Sequence, residues 1–246
     1  MSAEPHPSRV ASPPGPSARG EYDIALARLE REITRIEELQ TQGGSDLALE
    51  LCGVRDRLVT LAERAYSHLN GWQTVQIARH PARPVLPHYL EMIVRDFCEL
   101  SGDRCFRDDR AVTVGFGRIA GHKVMVVGHN KGRDTHDRVA RCFGHPHPEG
   151  FRKALRAMKL AEKFGLPVVS FIDTPGAYPG VGAEERGTAQ AIAVNLMEMA
   201  RLRVPIICAV IGEGGSGGAL GIGVGDRIGV LSHSYYSVIT PEGCAS

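Results

Sequence analysis

The sequence predicts an α/β protein built on a parallel sheet and preceded by a helical hairpin, and three observations carry that prediction. Two strand–turn–helix units follow one another, as parallel neighbours require. The first is a strand at Pro167–Ile172, the turn D-T-P-G-A-Y-P-G and a helix at Glu184–Leu202; the second is a strand at Pro205–Ile211, a glycine loop and a short helix. The stretch Val204–Gly225 runs from buried-strand composition into dense glycine, with Glu213 its one charged residue after Ile211 and before Asp226. Near the N-terminus, Ile24, Leu26, Leu29, Ile33, Ile36 and Leu39 recur at helical spacing between charged residues, which predicts an amphipathic helix.

In chain order, residues Met1–Gly20 are rich in Pro, Ser, Gly and Ala and are expected to form a disordered tail. The first helix is expected to end near Gly43-Gly44. A second, after Ser45 or Asp46, carries Leu47, Leu51, Val54, Leu58, Leu61 and Ala65, completing an αα-hairpin. Trp72–His80, followed by Pro81 and Pro84, reads as an ordered linker, so residues 21–85 are hairpin plus linker and residues 86–246 the main domain. That domain opens with a helix at Leu86–Leu100 and a charged loop at Ser101–Arg110. Strands at Ala111–Ile119 and Lys123–Gly128 around Ala120-Gly121-His122 read as a hairpin. The second strand delivers H-N-K-G-R-D-T (His129–Thr135). A helix at Pro148–Phe164 has Pro and Glu in its first turn and is basic throughout; it reads as a solvated face or a surface for phosphate groups. Strands at Arg227–Leu231 and Tyr236–Ile239 close the chain.

Composition bounds the function. The 43% apolar and 23% charged content is that of a globular protein, and a formal net charge of +1 gives no field for nucleic acid or a membrane surface. Cys52, Cys98, Cys105, Cys142, Cys208 and Cys244 contain no C-x-x-C pair, so they read as free thiols in a reducing compartment. His129, His145 and His147 lack metal-ligand spacing, and no metal is expected in this chain. With no long apolar run and no signal core, a cytoplasmic location is the expectation.

In parallel sheets ligands gather at strand C-termini, where three loops fall: His129–Thr135, Asp173–Gly180 and Gly212–Gly218. Gly212, Gly214 and Gly217 fit G-x-G-x-x-G, but Ser232–Ser237, where a ribose-binding acid belongs, contains no carboxylate. Gly214, Ser216 and Gly218 fit G-x-S-x-G, with Asp226 and His233 following in hydrolase order, which keeps a serine nucleophile at Ser216 as an alternative. A third possibility needs no side-chain nucleophile: backbone amides of Gly176 and Ala177 and of Gly218 and Ala219 converge as an oxyanion hole. Lys131 and Arg133 suit a phosphate or carboxylate, or else ion pairs with Asp134 or Asp137.

The segments F-I-D-T-P-G-A-Y-P-G-V-G-A-E-E-R-G (Phe171–Gly187), V-I-G-E-G-G-S-G-G-A-L-G-I-G-V-G-D-R (Val210–Arg227), Y-S-V-I-T-P-E-G-C-A-S (Tyr236–Ser246), N-K-G-R-D-T and W-Q-T-V-Q-I-A-R-H-P resemble the alpha subunit of bacterial acetyl-CoA carboxylase carboxyltransferase, from about Tyr22 onward. The resemblance implies a crotonase-like spiral of ββα units. It implies carboxyl transfer from carboxybiotin, carried on the biotin carboxyl carrier protein, to acetyl-CoA, giving malonyl-CoA for fatty acid biosynthesis. It also implies a beta subunit bearing a zinc ribbon, an alpha2beta2 assembly and cooperation with an ATP-using biotin carboxylase. By similarity, Gly218 and Ala219 face the biotin side with Gly176 and Ala177 in support; Gly215, Gly217, Lys131 and Arg133 are the candidate substrate-binding residues. The family usually continues past P-E-G-C-A-S, so the main domain is expected to be shorter at its C-terminus and to leave apolar surface open. It more often has Gln at position 130 and His at position 101, where this chain has Asn130 and Ser101. An inactive, partner-binding paralogue is the non-enzymatic alternative.

Overall fold

The computed structural model describes residues 16–41, 47–67 and 69–245, with side chains from residue 28 onward. The chain divides into two compact units, Met1–Gln73 and Thr74–Ser246. In the first, α1 (Pro16–Thr41) packs on α2 (Ala48–Tyr66), burying Ile36 and Val54, with an Arg55–Glu37 ion pair at 2.7 Å between them. The helix begins at Pro16, inside the stretch read as a tail, because proline is well tolerated in a first turn. Residues 1–15 and the Gly43-Gly44 turn lie outside the described residues.

The stretch read as a linker is instead mostly helical, as α3 (Gly71–Ala78). Its start is fixed by a reciprocal pair, Asn70 N–H to Gln73 Oε1 and Gln73 N–H to Asn70 Oδ1, both at 2.9 Å, which is a capping box spelled N-x-x-Q.

Next comes α4 (Leu86–Ile93), which stops seven residues before the expected end. Val94 turns extended and begins β1 (Val94–Leu100), an edge strand antiparallel to β2 (Val112–Ile119). Pairing overrides helical spacing here: Phe97 lies 2.7 Å from where a Cβ of Gly115 would stand, so the small residues of β2 admit the β1 ring. The hairpin from β2 to β3 (His122–His129) turns on Ala120 and Gly121, both at positive φ, the geometry a two-residue hairpin turn demands.

Beyond β3 come α5 (Thr135–Ala140), a 3₁₀ turn at Cys142–Gly144, α6 (Pro148–Phe164), β4 (Val168–Thr174), α7 (Val181–Glu185) and α8 (Thr188–Met199). The single helix expected at Glu184–Leu202 is thus two, divided where Gly187 adopts φ 79°. Then follow β5 (Ile206–Gly215), α9 (Ser216–Leu220), β6 (Arg227–Val230), β7 (Tyr235–Ser237) and α10 (Pro241–Ala245).

The sheet order is β1-β2-β3-β4-β5-β6, with β7 also on β5; contacts from β3 to β6 and between β5 and β7 are parallel. Alternation along β3 feeds two cores. Met125 and Val127 meet Ala154, Ala157 and Met158 of α6 on one face, while Val124 and Val126 meet Leu86 of α4 on the other. The basic helix α6 is only partly a solvated face: Lys159 and Lys163 are exposed, whereas Arg152, Lys153 and Arg156 are not. Lys153 is 1% exposed, with Nζ 2.8 Å from Asp108 Oδ1 and 3.1 Å from the Asp109 carbonyl. Arg152 reaches Asp103 at 2.9 Å and Glu149 at 3.0 Å. These cations fasten the Ser101–Arg110 loop, since buried charges persist only when paired. At the β6 edge, Ile228, Val230 and Leu231 are exposed.

Candidate active site

The glycine stretch departs from expectation in a way that explains its composition. Gly212, Gly214 and Gly215 belong to β5 rather than to a loop, and each lacks a Cβ because something occupies that space. A Cβ would stand 2.5 Å from Asp173 Oδ1 at Gly212, 2.6 Å from the Tyr236 ring at Gly214 and 2.0 Å from the Pro175 carbonyl oxygen at Gly215. The chain turns only at Ser216, which takes φ 44°, and α9 begins there.

This close approach unites two of the three strand ends. A Cβ on Gly218 would lie 2.5 Å from the Gly176 carbonyl carbon and 2.6 Å from the Ala177 nitrogen, so the first turn of α9 rests directly on the Gly176-Ala177 peptide. The first amides of a helix have no internal partner and stabilise negative charge. Those of Gly217, Gly218 and Ala219 make no hydrogen bond to another element among the described residues. The Gly176 amide, expected in the same set, instead donates to Thr174 Oγ1 at 3.1 Å, while the Thr174 hydroxyl donates to the Gly144 carbonyl at 2.7 Å. Gly176, at φ 150°, shapes the turn, and Ala177 is the amide beside Gly218.

Beneath the turns lies a charge network that sequence reasoning missed. Glu213, buried at the end of β5, accepts from Lys131 Nζ at 2.5 Å, Arg79 Nε at 2.6 Å and the Tyr235 hydroxyl at 2.6 Å. Its own N–H donates to Asp173 Oδ1 at 2.9 Å, and Lys131 also meets that oxygen at 2.6 Å. Burial works to raise the Glu213 carboxyl, but the charge of Lys131 and the hydrogen bonds from Lys131, Tyr235 and Arg79 outweigh it and hold the group at about 2. Glu213 was the one charge within the glycine stretch, which was the available signal. Arg79 and Asp173 lie within quoted motifs, but nothing local showed that they would meet Glu213.

Lys131 therefore pairs with the acids of β4 and β5, not with Asp134 or Asp137. Arg133 is exposed, pairs with Glu91 of α4 and does not join the network. His129, fully buried under the same strand ends, accepts from Asp173 N–H through Nδ1 at 3.3 Å. Burial, with Lys131 nearby, pushes the imidazole down to about 3, so it is neutral.

The geometry disfavours a serine hydrolase. Asp226 Oδ2 accepts from Ile206 N–H at 2.8 Å, at the opposite end of β5 from Ser216. At about 3.3 Å per residue the strand separates the two by about 30 Å, which no triad spans. Among the described residues no group of three or more His, Cys, Asp or Glu is placed to hold a metal ion, and no helix is long and apolar enough to cross a membrane.

The same fold occurs in solved structures. Transcarboxylase 12S aligns with a TM-score of 0.54 at 22% identity over 63% of this chain and 29% of that one. The beta subunit of P. aeruginosa geranyl-CoA carboxylase aligns at 0.52 and 22% over 65% and 29%. Both share the α/β fold of this chain. The family model for acetyl co-enzyme A carboxylase carboxyltransferase-like proteins matches residues 20–246. Two proteins named acetyl-coenzyme A carboxylase carboxyl transferase subunit alpha, from Photorhabdus laumondii and Xanthomonas campestris, are each 54% identical; the alignments cover 92% of this chain and 72% and 71% of theirs. The chain belongs to that family. It is a transferase, a carboxyltransferase subunit of a multi-subunit carboxylase.

Proposed function

We propose that this chain, as an alpha subunit, moves a carboxyl group from carboxybiotin to acetyl-CoA, giving malonyl-CoA, and does so only with a beta subunit. The observation that carries this is the direct seating of Gly218 on the Gly176-Ala177 peptide, which brings the backbone of two strand ends together. When bound, carboxybiotin would supply the carboxyl group and a ureido oxygen able to carry negative charge. The amides of Gly217, Gly218 and Ala219 make no hydrogen bond to the backbone of another element among the described residues, which leaves them available to such a group. The chain's task is to hold the amides of Gly217, Gly218, Ala219 and Ala177 fixed around that oxygen, where one donor is worth on the order of 3 kcal/mol. Gly215 shapes the approach, and the Lys131–Glu213–Asp173 network locks the strand ends beneath, so little reorganisation is needed during transfer.

The proposed partners are a zinc-ribbon beta subunit in an alpha2beta2 assembly, the biotin carboxyl carrier protein and biotin carboxylase, in the cytoplasm; family membership supports them. The test is malonyl-CoA formation from acetyl-CoA and the carboxylated carrier, with and without the beta subunit. Turnover is expected only with both. Turnover by this chain alone refutes the dependence on a partner, and tight association without turnover identifies a partner-binding paralogue.

A further inference from the structure

Beside the amide turns lies a cavity of about 250 Å³ whose lining includes Arg79, Arg83, Lys131, Arg138, Asp173 and Glu213. Its charges do not balance. Four cations face two carboxylates, and even with Glu242, which pairs with Arg79, one positive charge is left over. The surplus can be located. Arg83 is spent on neutral oxygens, the Ile211, His233 and Ser232 carbonyls and Ser234 Oγ, so its donors are occupied while its charge is not cancelled. Arg138 is half-buried, forms no ion pair among the described residues and has one side-chain hydrogen bond, to the Pro81 carbonyl at 3.5 Å. It therefore keeps most of its five donors, and Lys131 keeps one of its three beyond Asp173 and Glu213.

The wall opposite is strained. Cys142 and Phe143 sit at φ 47° and 54° and Gly144 at 80°, three left-handed residues in succession. Each non-glycine residue there costs on the order of 1–2 kcal/mol, and such conformations persist where surrounding structure fixes them. Two contacts do so: Thr174 holds the Gly144 carbonyl, and the Lys131 stem lies 2.5 Å from where a Gly144 Cβ would stand. The turn thus presents Phe143, which is 54% exposed, at the cavity wall above Lys131.

We propose that this cavity is an oxyanion subsite, taking the carboxylate or phosphate group of a small acidic ligand on Arg138 and the remaining Lys131 donor, in the field of Arg83. Anion binding follows from charge and space in this chain alone; only the ligand's origin, the carboxyl group being moved or the phosphates of the thioester, rests on the function proposed above. The binding test therefore needs no beta subunit, and its failure is distinct from failure of malonyl-CoA formation.

The experiment is calorimetric titration of the full chain at low salt with malonate, which has carboxylates and no phosphate, and separately with inorganic pyrophosphate. At least one should bind. Arg138→Gln should weaken that binding about tenfold, the usual weight of one charge-assisted contact, while Arg138→Lys stays within about threefold. Arg133→Gln, which removes a cation outside the cavity, should change it by less than about twofold. Selective binding of malonate assigns the site to a carboxylate and selective binding of pyrophosphate to a phosphate. If neither anion binds the native chain below ~10 mM, or if Arg138→Gln weakens binding no more than Arg133→Gln, the subsite does not exist.

Discussion

Adding one methyl group at Gly218 tests whether the amide cleft depends on direct backbone contact. In Gly218→Ala the new carbon would lie 2.5 Å from the Gly176 carbonyl carbon, 2.6 Å from the Ala177 nitrogen and 2.8 Å from Gly176 Cα, where ordinary contact begins at 3.4 Å. All three are backbone atoms and no side chain can swing away, so the turns must part by about 1 Å. Overpacking of this kind costs about 1–3 kcal/mol, which for a chain of this length lowers Tm by about 2–10 °C. The larger effect falls on catalysis, because a misplacement of about 1 Å costs on the order of a hundredfold in rate. The assay is turnover to malonyl-CoA in the reconstituted complex, beside circular dichroism and a melting curve. Gly229→Ala serves as the control, since its methyl would have its nearest neighbour, the Cys208 carbonyl oxygen, at 4.0 Å. A Gly218→Ala subunit that folds and turns over within about threefold of the native one would refute the amide cleft.

Three further outcomes are expected. His129 is held at about 3 when folded against 6.5 when unfolded, so between those values the unfolded chain binds a proton that the folded chain does not. Stability should fall as pH drops from 6.5, by about 1.4 kcal/mol per unit, and His129→Gln should flatten that slope in denaturant titrations; an unchanged slope would mean that His129 is not the group responsible. Ser216→Ala should keep turnover within about threefold and the native chain should resist fluorophosphonate, whereas labelling of Ser216 with loss of turnover on substitution would restore the hydrolase. Lys153→Met leaves Asp108 and the Asp109 carbonyl without their cation and should cost about 2–3 kcal/mol in urea unfolding. A raised KM for acetyl-CoA with stability unchanged would show that α6 faces substrate after all.

Elements dominated by local signals were legible in the sequence. The α1–α2 pair followed from apolar spacing, the β2–β3 hairpin from its short turn, and α6 from Pro148 and Glu149 in its first turn. Elements decided by partners were not. β1 had helical spacing but found β2, and α3 hid its N-x-x-Q cap in a proline-flanked stretch. Family membership was also legible, because several long motifs occur in order.

The sequence by itself determined where the backbone turns at the strand ends, since glycine and proline dictate what the local backbone can do. Tertiary structure decided what those glycines are for. Gly212, Gly214 and Gly215 make room for Asp173, Tyr236 and Pro175, and Gly218 admits the Gly176-Ala177 peptide, all contacts between distant segments. It also decided that Lys131, Asp173, Glu213 and Arg79 form one network although they lie on four separate elements of the chain. The reason is physical: a buried charge is tolerable only beside its counter-charge, and only the assembled sheet brings these strand ends within hydrogen-bonding distance.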